Sequence, residues 1–230
     1  MKILIIGADR GLGEVLGEMA VREGHTVVAG YYDLNGYLKH DDDGILRLQM
    51  DVTDENQLKA AAESVINRVG ELDAVVCVAG VLLKSDRTDS ILTESLSDIS
   101  RHIEVNAIGL LNAFRTLYPV MKKGSTFYAV TSEAGSFTLA GTLFPAYSVS
   151  KTAANKVVQV IRLTLEERQD DKVDVIAVHP GRMNTEMGRT TAQIEPEESA
   201  EGFLKLISGE IPVNSAEHWF IDYLGRQMPV

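Results

Sequence analysis

Tyr147 and Lys151 stand four residues apart at the start of a segment with helical patterning, so their side chains share one face. A free tyrosine, with a pKa near 10, is a poor acid or base at neutral pH. A neighbouring ammonium favours tyrosinate and makes proton exchange with a substrate oxygen feasible, which marks Tyr147 as a candidate general acid/base. Asn106 falls on the apolar stripe of another helical segment with Ile99, Ile103, Leu110, Phe114 and Leu117. A buried amide costs roughly 1–3 kcal/mol unless it finds partners, so Asn106 should have fixed hydrogen bonds. Near the start of the chain, Gly7-Ala8-Asp9-Arg10-Gly11-Leu12-Gly13 joins the apolar run Ile3–Ile6 to a helical pattern through Leu16, Met19 and Ala20. Glycines there permit a tight turn and the approach of backbone N–H groups and a helix N-terminus to a pyrophosphate. Each of these residues also has an ordinary reading: a packing glycine, a solvated helix lysine, a surface tyrosine.

Composition narrows the field. The 230 residues are 45% hydrophobic and 24% charged, which suits one globular domain and excludes a disordered tail, collagen or a coiled coil. A net charge of −11 argues against a nucleic-acid or anionic-membrane surface. The single Cys77 excludes an internal disulfide or a cysteine metal cluster, reads as core, and fits a reducing cytoplasm. No apolar run reaches the length of a membrane span, and Ile3–Ile6 is too short for a signal segment. The five histidines show neither HxxxH nor HExxH spacing, so no metal site is expected. Asp41–Asp43 before Gly44 reads as a solvated turn.

The elements that must position these groups alternate along the whole chain. Short β-rich runs at Lys2–Ile6, His25–Tyr32, Ile45–Met50, Leu72–Ala79, Thr126–Thr131, Val173–His179 and Trp219–Leu224 are separated by helical patterns. One such pattern carries Leu58, Ala61, Ala62, Val65, Ile66 and Val69, with Thr53 or Asp54 as cap and Gly70 as terminator. Another, from about Ser97 to Tyr118, is stopped by Pro119. A third carries Ala154, Val157, Val158, Ile161 and Leu165. Continuously apolar strands such as Ala74–Val78 imply a parallel sheet covered on both faces. The expected fold is α/β: a single-domain Rossmann-type doubly wound parallel sheet flanked by helices, spanning residues 1–230.

The GxxxGxG spacing at Gly7, Gly11 and Gly13 resembles that of the short-chain dehydrogenases/reductases, single-domain NAD(P)-dependent oxidoreductases. The remaining motifs of that family follow in order: Asp51-Val52, Ala79-Gly80, Asn106, Ser132, Tyr147-x-x-x-Lys151 and Pro180-Gly181-x-x-x-Thr185. The match covers essentially the whole chain, and its C-terminal part is similar to the compact carbonyl-reductase and C-factor branch. This resemblance implies a catalytic set of Asn106, Ser132, Tyr147 and Lys151. In it Ser132 binds the substrate carbonyl, Lys151 also holds the nicotinamide ribose, and Asn106 supports a water-linked proton relay. It implies a cofactor site built from Gly7, Arg10, Gly11, Leu12, Gly13, Tyr31, Asp51, Val52, Ala79, Gly80, Tyr147, Lys151, Pro180, Gly181 and Thr185, with Thr185 meeting the carboxamide.

Three departures matter. Ile6 stands where the family has Thr, Cys77-Val78 replace Asn-Asn, and the stretch from Ser132 to Tyr147 is slightly long. That stretch carries Phe137, Leu139, Leu143, Phe144 and Pro145 and is a candidate wall of an apolar substrate pocket. Cofactor choice turns on the end of the second strand, where Tyr31-Tyr32 replace the usual acid or arginine. Asp33 favours NAD and Arg10 favours NADP, with a lean to NADP. His179 is expected to be a hydrogen-bonded structural residue. The expected activity is hydride transfer between NAD(P)H and a carbonyl or secondary alcohol. A non-catalytic NAD(P)-binding sensor is the alternative, and the sugar-nucleotide epimerases usually add a substrate domain that is lacking here. The expected partner is a small-molecule carbonyl or alcohol, with no nucleic acid or membrane, and homodimer and homotetramer both stay open.

Overall fold

The computed structural model describes residues 1–32, 44–139, 141–188 and 191–230, so Asp33 and Asp41–Asp43 lie outside the described residues. The strands are β1 (Lys2–Ile6), β2 (Thr26–Tyr31), β3 (Ile45–Gln49), β4 (Leu72–Cys77), β5 (Met121–Val130), β6 (Val173–His179) and β7 (Phe220–Asp222). The helices are α1 (Gly11–Arg22), α2 (Glu55–Arg68), α3 (Leu96–Ile103), α4 (Gly109–Leu117), α5 (Pro145–Glu167) and α6 (Pro196–Ser208). All strand pairings are parallel, in the order β3-β2-β1-β4-β5-β6-β7. This is the doubly wound sheet that the alternation of runs predicts.

Burial on both faces accounts for the continuously apolar strands. Odd-numbered β1 residues Ile3 and Ile5 pack under α1 and α6 with Leu16, Phe203 and Ile207. Leu4 and Ile6 pack on the opposite face with Leu58, Leu110, Phe114 and Val158 of α2, α4 and α5. Phe127 is completed there by an edge-on Phe114, with ring centroids 5.3 Å apart.

Local signals act where the sequence places them. Asp54 caps α2 by accepting from the N–H groups of Asn56 and Gln57 at 2.9 and 3.2 Å. Gly70, at φ +86°, closes that helix with its N–H on Val65 O. Ile66, expected on the buried stripe, is exposed instead. β5 begins five residues before the expected Thr126, and the register with β4 shifts between Leu72 and Ala74 to admit the extra length. The helix expected from Ser97 to Tyr118 is divided: between α3 and α4 lies one π turn, Glu104–Ile108, centred on Asn106.

Candidate active site

Strand order reverses between β1 and β4, and the crevice beyond their carboxyl ends is where this sheet type receives ligands. The sequence puts its glycine turn after β1 and Ala79-Gly80 after β4, so the two meet there. Gly7 lies at φ +84°, and a Cβ on it would come 2.7 Å from the Ala79 nitrogen. A Cβ on Gly13 would come 2.1 Å from Gly7 O, which only glycine tolerates. Arg10 precedes α1 in extended conformation, and no side chain caps the first turn of that helix. Leu12 is buried beneath the turn. An open helix N-terminus against a glycine turn fits a dinucleotide phosphate and leaves no space for a side chain in its place.

The Arg10 side chain pairs with Glu186 at 3.3 Å, both exposed. Tyr31 is buried at the end of β2, whereas Tyr32 is exposed and gives its N–H to Asp9 at 2.8 Å. Asp51 is engaged locally: its carboxylate accepts from the N–H and hydroxyl of Thr53. Val52 is buried against Gly109.

α5 brings Tyr147 and Lys151 to this crevice from the other side of the switch. Lys151 is buried and donates to Val130 O at 3.0 Å, with Nζ 5.5 Å from the Tyr147 ring centroid. A Cβ on Gly80 would lie 3.5 Å from that Nζ and 3.1 Å from Asn106 Oδ1, so the three residues converge. Ser132 lies two residues past β5, is buried, and accepts from the Ala134 N–H at 3.1 Å. Burial pushes the Tyr147 phenol up to about 12, partly opposed by hydrogen bonding with Ser132 and reinforced by the Glu133 charge. Burial also brings Lys151 down to about 8. Lys151 was expected to favour tyrosinate; in this arrangement its hydrogen bond goes to Val130 O, and burial is the largest influence on the phenol.

Asn106 has the fixed partners that its burial demands. Its Oδ1 accepts from Val81 N–H at 2.7 Å, and its Nδ2 donates to Val81 O at 3.0 Å and to Ser150 Oγ at 2.8 Å. Ser150 in turn donates to Tyr147 O at 2.7 Å, so the π turn, the end of β4 and the first turns of α5 are tied through one amide. Such turns recur at functional sites because they re-aim a side chain without breaking the helix.

After β6 the chain crosses back over the glycine turn. Pro180 is buried, Gly181 sits at φ +84°, and the Thr185 methyl would lie 3.3 Å from a Cβ on Gly11. Arg182 pairs with Glu133, the residue after Ser132. His179 accepts from the Glu133 N–H at 3.3 Å, as expected of a structural histidine, and burial lowers its pKa. Cys77 is buried core, its thiol pushed up to about 12 by burial.

Sequence reasoning missed Ser150 and, above all, Asp86. The buried Asp86 accepts from the N–H groups of Ala146 and Tyr147 at 2.8 and 2.9 Å, capping α5 from 60 residues away. The signal was a lack: Phe144-Pro145 begins a helix without a local Ser, Thr, Asp or Asn cap, and Phe144 itself lies at φ 53°. Hollows of about 260 and 250 Å³ lie around Lys59, Thr116 and Pro119, away from Tyr147. Among the described residues no group of three or more His, Cys, Asp or Glu gathers to hold a metal, and no helix is long and apolar enough to cross a membrane.

The reversed sheet order and the glycine turn define a doubly wound sheet of the dinucleotide-binding type. Residues 1–196 match the short chain dehydrogenase model, and the chain belongs to that family. It is 29% identical over 223 residues to a 1-hydroxy-2-glutathionyl-2-methyl-3-butene dehydrogenase of Rhodococcus sp. strain AD45, covering 93% of each chain. Among solved structures it is similar to NADPH-bound carbonyl reductase from chicken fatty liver, with a TM-score of 0.85, 25% identity, and 100% and 98% of the two chains covered. Carbonyl reductase Sniffer of D. melanogaster shares the fold, with a TM-score of 0.84 at 17% identity over 100% and 99% of the chains.

Proposed function

We propose that the chain is an NADP-dependent carbonyl reductase in which one domain carries both the cofactor and the catalytic residues. The observation that carries this reading is the convergence of Lys151 and Asn106 on Gly80, with Tyr147 beside Lys151 and bonded to Ser132, at the crevice where the strand order reverses. Bound NADPH supplies a hydride from nicotinamide C4. Gly7, Gly11, Leu12, Gly13 and the α1 N-terminus would receive its phosphates, Tyr31, Asp51, Val52 and Ala79 would border the adenosine side, and Lys151 would hold the ribose hydroxyls. Pro180, Gly181 and Thr185 would meet the carboxamide. Ser132 donates a hydrogen bond to the substrate oxygen, and Tyr147 gives it a proton as charge develops there. A phenol held near 12 is protonated at neutral pH, the form that reduction requires and oxidation does not. Asn106 anchors the relay that returns a proton to Tyr147. The exposed Phe137, Leu139 and Leu143 favour an apolar ketone or aldehyde. A cytoplasmic homodimer or homotetramer completes the proposal.

Titration with NADPH and NADH, followed by turnover of a ketone, aldehyde and quinone panel read from nicotinamide absorbance, tests it. Saturable NADPH binding with turnover is expected. Tight binding without turnover across the panel would instead favour a sensor.

NADP preference has its own test. The Arg10 to Glu186 pair is exposed and worth at most about 1 kcal/mol, so a 2′-phosphate can take the guanidinium from it. Arg10→Ala is expected to weaken NADPH binding roughly tenfold to a hundredfold and NADH binding less than about twofold. Equal losses for both nucleotides would remove Arg10 from the discrimination.

A further inference from the structure

We infer that the turn Ser85–Arg87 is the positioning element of the site, Asp86 holding the first turn of the catalytic helix and Arg87 holding the segment after β6 that covers it. This rests on the carbonyl-reductase reading for its kinetic consequences, although the geometry stands apart from it.

The N–H groups of Ala146 and Tyr147 are the second and third of α5, and a helix start normally satisfies them with its own cap. Pro145 has no N–H to offer and Phe144 provides no side-chain acceptor. Asp86 supplies both acceptors at once, and one of the two donors is the backbone of Tyr147 itself. A carboxylate at the N-terminus of a 23-residue helix is also where the helix dipole favours negative charge. The phenol is thus placed by a buried group that never touches it.

The turn is itself held rigidly. Ser85 donates to Asp98 Oδ2 at 2.7 Å, and His102 accepts from Leu83 N–H at 3.1 Å through Nε2. With Nε2 accepting, the His102 proton sits on Nδ1, 2.8 Å from Asp98 O. The His102 Nε2 also lies 3.9 Å from the Asp86 carboxylate. α3 leads directly into the π turn, whose Asn106 bonds Val81 and Ser150. A closed circuit of hydrogen bonds therefore joins residues 81–86, α3, the π turn and the start of α5.

Arg87 extends the circuit over the site. Its guanidinium donates to Met187 O at 2.7 Å, 100 residues away, and lies 5.9 Å from the Phe144 ring centroid. Met187 follows Thr185, the residue above Gly11. Adjacent side chains of one turn thus set both the acid and the cover.

The test compares Asp86→Asn, Arg87→Met and the parent for kcat, KM for a carbonyl substrate, NADPH affinity and amide exchange. Asp86→Asn keeps shape and one acceptor oxygen, so the protein folds. It should speed exchange at the Ala146 and Tyr147 amides and lower kcat about tenfold, with carbonyl KM and NADPH affinity within about twofold. Arg87→Met should raise carbonyl KM about fivefold with kcat nearly unchanged. A parent-like kcat in Asp86→Asn, even with faster exchange, overturns the positioning role and leaves a plain helix cap. A parent that turns over no carbonyl overturns the proposed function instead. In that case unchanged exchange in Asp86→Asn overturns the clamp, and faster exchange upholds it.

Discussion

Tyr147→Phe should bind NADPH as the parent does while its carbonyl turnover falls roughly a hundredfold to ten-thousandfold. The substitution removes one oxygen and leaves the ring, so the packing of α5 and the bonds from Asp86 to its backbone persist. What is lost is the phenol proton that the proposed mechanism gives to the developing alkoxide. Ser132 can still donate a hydrogen bond, but a hydroxyl without a base or acid behind it does not replace the transfer. Because burial holds the phenol near 12, the parent should sustain reduction throughout the neutral range. Oxidation of the alcohol should quicken towards high pH, as the tyrosinate fraction grows. Steady-state kcat alongside fluorescence titration of NADPH checks the split. Turnover within tenfold of the parent would take Tyr147 out of the acid role.

Lys151→Met is expected to lose turnover on a similar scale and yet to be the more stable protein in the absence of cofactor. The parent keeps a buried ammonium, brought from 10.5 to about 8, which corresponds to about 3 kcal/mol of unfavourable burial at pH 7. Methionine fills the stem volume without the charge, at the cost of orphaning Val130 O, about 1–2 kcal/mol. A net gain of roughly 1–2 kcal/mol remains. The pH dependence separates the two proteins. Between about 8 and 9 the unfolded parent holds more protons at this lysine than the folded one, so its stability rises with pH. Above about 9 the folded state retains the Cys77 proton, and above about 10 the Tyr147 proton, each to about 12 while the unfolded state releases it, so the rise fades and then reverses. Lys151→Met lacks the rise and keeps the fall. Denaturant unfolding at pH 7 and pH 9 reads the gain and the rise, unfolding at about pH 11 reads the fall, and a variant less stable than the parent at pH 7 would contradict the gain.

The sheet and the ordered motifs were legible because both are written locally. Apolar runs of β-branched residues declare doubly covered strands, and glycines at Gly7 and Gly13 occupy places where a Cβ has no space. Tyr147 and Lys151 share a face because a helix puts them there. Helix geometry does not say where a long side chain ends, and Lys151 reaches Val130 O, which is why its influence on Tyr147 was overstated. Asp86 and Arg87 were illegible for a different reason. Their partners lie 60, 61 and 100 residues away, and no periodicity or spacing encodes a bond that the tertiary fold creates. The π turn was hidden because its apolar stripe reads as ordinary helix on either side of Asn106.

The pairings among β1 to β7 are parallel, so each waits on a crossover connection before it can form during synthesis. Gly7 and Thr185 bracket the site, and a ribosome adding about 5–20 residues per second takes roughly 10–35 s to travel between them. For that interval β1 has β2 and later β4 to pair with, but the crevice beyond their ends is without its cover. Nascent chains should therefore hold nucleotide only after residue 185 clears the exit tunnel. Until then the growing sheet presents an open edge of unpaired backbone groups.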